Sequence, residues 1–402
     1  MKKLLLTLFL SSLILTGCGT DVVTPNEEGP TPENPQIEPR IGSGEYTPGN
    51  DFEILKYMTK EENYMVSPFS LKMAMMIAAN GAEGETKQEI LDTFAVEDIN
   101  VFNEKAKQII EKYNNTEYVK LNVANSIWLN TSLAGNNIEF IDAYKNIVKE
   151  FYSGEVGAED ENTIANVINK WIEEKTNEKI KDVLDSSKKA EFIAALVNTI
   201  YFKGEWDTQF EEKSTSKETF TSRDKNKAKI DFMHNTGYYD YYEDKNIQMV
   251  KLPYRGNDLS MSFVLPKDEE NMDIKSALEN MTLERVELSI PKFKTEYELE
   301  FNDVLKTMGI EKAFDDRAAN FLAMLSNADI YIETVLQKTF IEVDEAGTEA
   351  AAATAVVMYV KSGIEPDQEK PKVFKADKPF IYFIMDEATG EILFIGEYAY
   401  AK

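Results

Sequence analysis

Among 402 residues there is one histidine, His234, and one cysteine, Cys18. Those two scarcities remove whole classes of chemistry. A nucleophile–His–acid triad has a single imidazole to draw on, and the Cys/His clusters that hold zinc or iron cannot be assembled. One thiol also leaves no disulfide within the chain. Basic side chains are few: 44 Lys and Arg face 71 Asp and Glu, a formal charge of −27. So acidic a surface repels phosphate backbones and argues against nucleic acid as a partner. The longest apolar stretch, Leu4–Leu15, is interrupted by Thr7, Ser11 and Ser12 and is too short to cross a bilayer. Core-forming material is plentiful, with 43% hydrophobic and 11% aromatic residues. Two kinds of function survive: carboxylate chemistry by an Asp/Glu pair, as in glycoside hydrolysis, and action without an active site, cofactor or metal.

The amino terminus accounts for the cysteine. Met1-Lys2-Lys3 precedes the apolar stretch, and Leu15-Thr16-Gly17-Cys18 resembles a bacterial lipobox, in which cleavage before Cys leaves a lipidated thiol. Residues 1–17 then read as a lipoprotein signal peptide, and Cys18 as the attachment point for diacylglycerol and palmitate. From 18 to 50 the chain holds six of its 13 prolines among Gly, Asn and Glu, a composition that cannot bury a core and reads as a tether. The expected location is the cell envelope, exported and anchored to a bacterial membrane.

From Asp51 to Lys402 no comparable break recurs before 362–373, so one large domain is expected. Ser67-Pro68-Phe69-Ser70 opens an all-round apolar helix, Leu71–Asn80, that Gly81 stops. Ile164, Val167, Ile168, Trp171 and Ile172 recur at helical spacing and mark an amphipathic surface helix. Strands are expected at Leu121–Trp128, Ala194–Phe202, Met249–Pro253, Leu259–Pro266 and Val286–Phe293, with a closing hairpin of Phe380–Met385 and Ile392–Ile395. His234, in Asp-Phe-Met-His-Asn, reads as an exposed loop residue. Helices first and antiparallel strands after predict an α+β fold.

Residues 343–362 are conflicted. Alanines at 350–353 and 355 favour helix, with Thr348 as an acceptable cap, while Thr354, Val356, Val357, Tyr359 and Val360 favour strand. Such a segment is cheap to hold in either state.

Glu345-Ala-Gly-Thr-Glu-Ala-Ala-Ala-Ala-Thr-Ala355 resembles the hinge of the reactive-centre loop of inhibitory serpins. Further motifs resemble serpin signatures in the family's order: Asn63-Tyr-Met-Val-Ser-Pro-Phe-Ser70, Gly81-Ala-Glu-Gly-Glu-Thr86, Leu196-Val-Asn-Thr-Ile-Tyr-Phe-Lys-Gly-Glu-Trp206, Leu265-Pro266, Ile290-Pro-Lys-Phe293 and Ile392-Leu-Phe-Ile-Gly396. The resemblance covers residues 51–402 and implies helices packed on three mainly antiparallel sheets, with a loop at about 345–371 exposed as bait. It implies an inhibitor, not an enzyme. A protease cuts the loop, whose first part inserts into the central sheet as a strand and drags the acylated protease along.

In that reading Glu345, Gly347, Thr348, Glu349, Ala350, Ala351, Ala352, Ala353 and Thr354 form the hinge. Strand alternation turns Thr348, Ala350, Ala352 and Thr354 to the core and Glu349 outward. No proline interrupts Gly347 to Val360. The family's spacing from Glu345 puts the reactive bond at Lys361-Ser362 and implies trypsin-like targets. Cuts after Val360 or Tyr359, suiting elastase-like or chymotrypsin-like enzymes, stay open, as do cysteine proteases. By resemblance Ser67, Ser70, Asn198 and Gln337 belong to the shutter beneath the sheet. Many serpins carry His at the Gln337 position, and Gln does not titrate near neutrality. Monomers are expected. A non-inhibitory carrier or binding serpin, and a carboxylate-based hydrolase on a lipoprotein tether, remain the alternatives.

Overall fold

The structure is a computed structural model and describes residues 50–114, 118–135, 138–256, 258–326, 330–348 and 370–401. Cys18, the tether and the reactive bond at Lys361-Ser362 lie outside these residues, as do Glu349, Ala350, Ala351, Ala352, Ala353, Thr354, Tyr359 and Val360.

Among the described residues, the strands form three sheets, with helices packed on them. The largest has nine strands, with Tyr64–Val66, Ile392–Tyr398, Phe380–Asp386, Leu259–Pro266, Ile247–Pro253, Lys227–Glu243, Thr282–Pro291 and Lys372–Lys375 side by side, and Ser216–Thr221 paired to Lys227–Glu243. The second has six strands, labelled in chain order β1 (Val119–Asn130), β2 (Glu155–Glu159), β3 (Ala194–Glu205), β4 (Phe293–Glu300), β5 (Thr334–Val343) and β6 (Gly347–Thr348). Across it the order is β4-β5-β6-β3-β1-β2. A third, small sheet pairs Glu139–Phe140 with Leu325–Ser326.

The core helix spans Pro68–Gly81, a turn longer at its start than the apolar pattern indicates, because Ser67 caps it. The Ser67 Oγ accepts from the Ser70 N–H at 3.1 Å, and Pro68 takes the first turn, where its missing N–H costs nothing. Only Lys72 and Asn80 escape full burial. Gly81 is the last residue of the helix and does not act as a left-handed stop. Its reason is space: a Cβ there would come within 2.6 Å of Met324 Cε and 3.0 Å of the Tyr144 ring.

Leu259–Pro266 is a strand with the bounds the apolar run indicates, buried at every position. The segment read as one strand, Val286–Phe293, instead divides. One strand, Thr282–Pro291, stops before Lys292, and Phe293 opens β4. His234 is also corrected: it stands in the strand Lys227–Glu243, half-buried, with Nε2 3.1 Å from Glu218. Period-2 alternation is blurred there because Phe232 and Met233 are both buried in succession.

The amphipathic helix is Ile164–Lys175 and lies across one face of the six-stranded sheet. Ile164, Ile168, Trp171 and Ile172 are buried against Trp128 of β1, Ala195 and Val197 of β3 and Phe340 of β5. Trp171 meets Trp128 edge-on at 6.3 Å. Each fully buried side chain of this size contributes about 1.5–3 kcal/mol. The opposite face of the sheet belongs to the main core.

Candidate functional site: a split sheet and the cluster beneath it

The central feature is a fork. β5 and β3 pair directly and in parallel from Thr334 and Ala195 up to Phe340 and Tyr201. Above that they part, and β6 fills the gap, antiparallel to both: Val343 faces Thr348, which faces Gly204 on the other side. The chain leaves β5, reverses through Asp344-Glu345-Ala346, and starts back down between the two strands. Thus Gly347 and Thr348 are already sheet residues.

Close packing fixes this reversal. The Asp344 carboxylate accepts from the Ala346 and Gly347 N–H groups at 2.9 and 3.2 Å. Trp206 donates its indole N–H to Asp344 O and its backbone N–H to Ala346 O, both at 3.0 Å. Its ring stacks on Tyr254 at 4.7 Å. Gly347 has φ +155°, and a Cβ would stand 2.0 Å from Gly204 O, so no other residue fits.

Thr348 is fully buried on the core face, with its Oγ1 2.6 Å from the hydroxyl of Tyr254. Burial pushes the Tyr254 phenol well above its ordinary pKa, against the opposing hydrogen bond with Thr348, so the hydroxyl stays protonated. Glu345 points away from the sheet, accepting from Lys292 Nζ and Thr215 Oγ1, each at 2.7 Å. Burial acts to raise the Glu345 pKa, but these bonds outweigh it and hold the carboxyl below its ordinary 4.5. A depressed carboxylate contributes its full stabilisation above that value, and the contribution is lost as pH falls through the lower, folded pKa.

Lower down, where β5 and β3 touch, four residues from three distant parts of the chain meet. Gln337 of β5 accepts from the Ser67 N–H at 2.8 Å and donates to Ser67 O at 3.0 Å and to Asn198 Oδ1 at 2.7 Å. Asn198 of β3 donates to Ser70 O at 3.1 Å, to the Ser70 hydroxyl and to Asn125 Oδ1. Ser67 Oγ, besides capping the core helix, donates to Leu393 O at 2.6 Å. All four side chains are buried. The amide pair Gln337–Asn198 is therefore a clasp across the β5–β3 joint, anchored to the core helix.

Sequence reading singled out Ser67, Ser70, Asn198 and Gln337, and missed Asn125, Tyr254 and Lys292. Asn125 carried a signal: a fully buried polar residue within the apolar strand β1. Lys292 lies in the signature Ile290-Pro-Lys-Phe293, which gave it no role, and Tyr254 carried no signal, since both act through contacts with residues about 50 to 95 positions away. Among the described residues, no group of three or more His, Cys, Asp or Glu is placed to hold a metal.

This clasp yields a direct prediction. Asn198→Ala leaves Gln337 and Asn125 short of partners in a dry site, at about 1–3 kcal/mol for each orphaned group. Thermal unfolding followed by circular dichroism should drop by several degrees; an unchanged midpoint would show that water or rearrangement replaces the clasp.

A family profile, Serpin (serine protease inhibitor), matches residues 51–400. The chain belongs to the serpin family. A serpin-like protein of Methanosarcina acetivorans is 34% identical over 425 residues, covering 100% of this chain and 97% of the relative. Among solved structures, Serpin48 of the insect Tenebrio molitor, described as highly specific, superposes with a TM-score of 0.75 at 30% identity, covering 88% of this chain and 95% of the other. The thermophilic serpin Tengpin in its native state gives 0.76 at 30% identity, covering 88% and 93%. Serpins are in general protease inhibitors and not catalytic enzymes, and the α+β serpin fold is the one described above. β6 consists of Gly347 and Thr348, two of the residues that the family resemblance reads as the hinge.

Proposed function

We propose that this serpin inhibits serine endopeptidases as a suicide substrate, cleaved after Lys361 and holding the protease as an acyl-enzyme while the loop inserts as a strand. The observation that carries the reading is β6, which already pairs antiparallel with β3 through both residues and with β5 through Thr348, and points down the joint. Continuing that register by six residues brings Thr354 level with Gln337 on β5 and Asn198 on β3. The clasp is then what must open, and Thr354 supplies a hydroxyl in its place. Ala351, Ala353 and Ala355 take the other face, beneath the crossing helix, where a methyl group is the largest side chain that demands little displacement. Insertion also replaces one parallel joint with two antiparallel ones, which are slightly more stable per residue.

A lysine before the reactive bond suits an acidic primary pocket, so trypsin-like proteases are the leading targets. Incubation with trypsin should give a covalent band resistant to denaturing gels and, after denaturation, a separate fragment 362–402 by mass. Lys361→Ala should lower the inhibition rate for trypsin on the order of 10³-fold, while elastase-like enzymes keep a cut after Val360. Equal rates for both chains would refute Lys361 as the recognised residue. The lipobox-like Leu15-Thr16-Gly17-Cys18 supports anchoring in a bacterial envelope through lipid on Cys18; loss of detergent-phase partition in Cys18→Ser tests it.

A further inference from the structure

In a chain of net charge −27, the lining of one cavity runs the other way. It encloses about 480 Å³ where three connections of the nine-stranded sheet meet: the hairpin loop 222–226, the exit from Leu259–Pro266, and the link 376–379 that leads from Lys372–Lys375 to Phe380–Asp386. Arg223, Lys225, Lys267 and Lys378 line it, against two carboxylates, Glu269 and Asp377. Most of these charges are already engaged. Arg223 pairs with Glu269 at 3.1 Å and with Glu397, and Lys267 pairs with Glu243 at 2.6 Å. Lys60 shares Glu269 at 3.0 Å, and Asp377 lies 4.0 Å from Lys375. Lys225 and Lys378 have no carboxylate partner among the described residues; Lys378 Nζ donates to Pro266 O at 2.8 Å. Asp224, next to Lys225, is turned into its own loop, where it accepts from the Asn226 N–H at 3.0 Å and from the Asn226 side-chain amide at 2.7 Å. Two further observations point to a ligand. Lys225 has φ +68°, in the left-handed region where a hairpin loop ordinarily carries Gly or Asn, and a lysine held in so unfavourable a backbone points to a use for its side chain. Arg223 Nε is buried without a hydrogen-bond partner, so the guanidinium keeps one donor open beside the cavity.

We propose that this cavity binds a sugar phosphate, with the phosphate between Lys225 and Lys378 and the sugar hydroxyls on Glu269 and Asp377. Charge decides the first half. A phosphate monoester carries about 1.5 to 2 negative charges at neutral pH, which matches the excess of four lining cations over two carboxylates. The guanidinium fork, which would favour a planar carboxylate, is taken by Glu269 and Glu397. The groups left over are ammonium ions, point charges that suit a compact phosphate. The carboxylates decide the second half. Glu269 and Asp377 repel a bare anion but accept from hydroxyls, so a ligand that brings hydroxyl donors beside its phosphate is preferred to inorganic phosphate. Volume agrees: at about 30 Å³ per water-sized group, the cavity takes roughly sixteen such groups, the size of a hexose phosphate and well beyond a bare phosphate ion. Pro266 and Pro379 offer an apolar flank to the face of a sugar ring. Lys225 and Lys378 stand on different connections, so the bound dianion ties the hairpin loop to the link that follows Lys372–Lys375, and binding stabilises the folded chain.

The test titrates the full chain with glucose 6-phosphate by calorimetry and follows its melting with glucose 6-phosphate, glucose or inorganic phosphate at matched ionic strength. Glucose 6-phosphate should bind at one site and raise the melting temperature by about 3–5 °C at a hundred times its Kd. Glucose should do neither, and inorganic phosphate should bind about 10-fold more weakly or worse. Lys225→Gly and Lys378→Gln should each weaken binding by about 10-fold, whereas Lys170→Gln, at an exposed lysine on the helix Ile164–Lys175, leaves it unchanged. Lys225→Gly separates binding from folding: glycine suits φ +68° better than lysine, so this variant should melt no lower than the unsubstituted chain while it loses affinity. No saturable binding up to about 10 mM, or equal affinity in Lys225→Gly and Lys170→Gln, overturns the proposal. Inorganic phosphate binding as tightly as the ester overturns it in favour of a plain anion site.

Discussion

A chain carrying Thr348→Arg is expected to be cut by trypsin-like proteases and to release them. Thr348 is the first side chain of the returning strand to enter the core, fully buried, with its hydroxyl on that of Tyr254. The side-chain partner there is the neutral hydroxyl of Tyr254, which does not compensate a guanidinium charge. Burying an unpaired charge costs several kcal/mol, so the substituted side chain would be expelled and β6 lost with it. In the proposed mechanism, inhibition is a race between insertion and hydrolysis of the acyl-enzyme. A barrier raised by about 3 kcal/mol slows insertion roughly 100-fold and hands the race to water. The covalent band should vanish from denaturing gels while cleavage, seen as the 362–402 fragment that separates on denaturation, continues at the normal rate. An undiminished adduct would show that insertion does not begin at β6.

Nicking the loop of the unsubstituted protein should raise its heat resistance sharply. The joint from Thr334–Ala195 to Phe340–Tyr201 holds one interface, and an inserted strand makes two. About ten residues entering at 0.5–1.5 kcal/mol per net hydrogen bond contribute on the order of 10 kcal/mol, before any apolar burial. At about 2 °C per kcal/mol for a domain of this size, the melting temperature should climb by on the order of 20 °C. Calorimetry of intact and nicked protein measures it. In the Thr348→Arg background the gain should disappear, because the same strand cannot start. A nicked wild-type protein that melts no higher than the intact one would contradict the whole insertion scheme.

Local order was readable where one rule governed a whole segment. Leu259–Pro266 is apolar throughout and is buried throughout, and the Ile164–Lys175 stripe lands on the sheet it should cover. Reading failed where two demands met in one residue. Gly81 reads as a helix stop because glycine usually serves there, yet it is needed so that Met324 can pack. His234 reads as loop because its neighbours are polar on one side and doubly buried on the other, a pattern that a bent, half-covered strand produces and a flat one does not.

The residue types of the segment read as the hinge are a matter of composition: small side chains and no proline were in the chain to be read, because they act on their own backbone, whereas the lack of space at Gly347 comes from Gly204 of another strand. The place of that hinge is a matter of assembly. Ser67 and Gln337 are 270 positions apart, and β3 and β5 become neighbours only when the sheet is complete. Periodicity and propensity act over one or two turns of chain, whereas the order of strands is settled by which faces bury together. The fork between β5 and β3, the clasp beneath it and the returning β6 follow from that long-range packing.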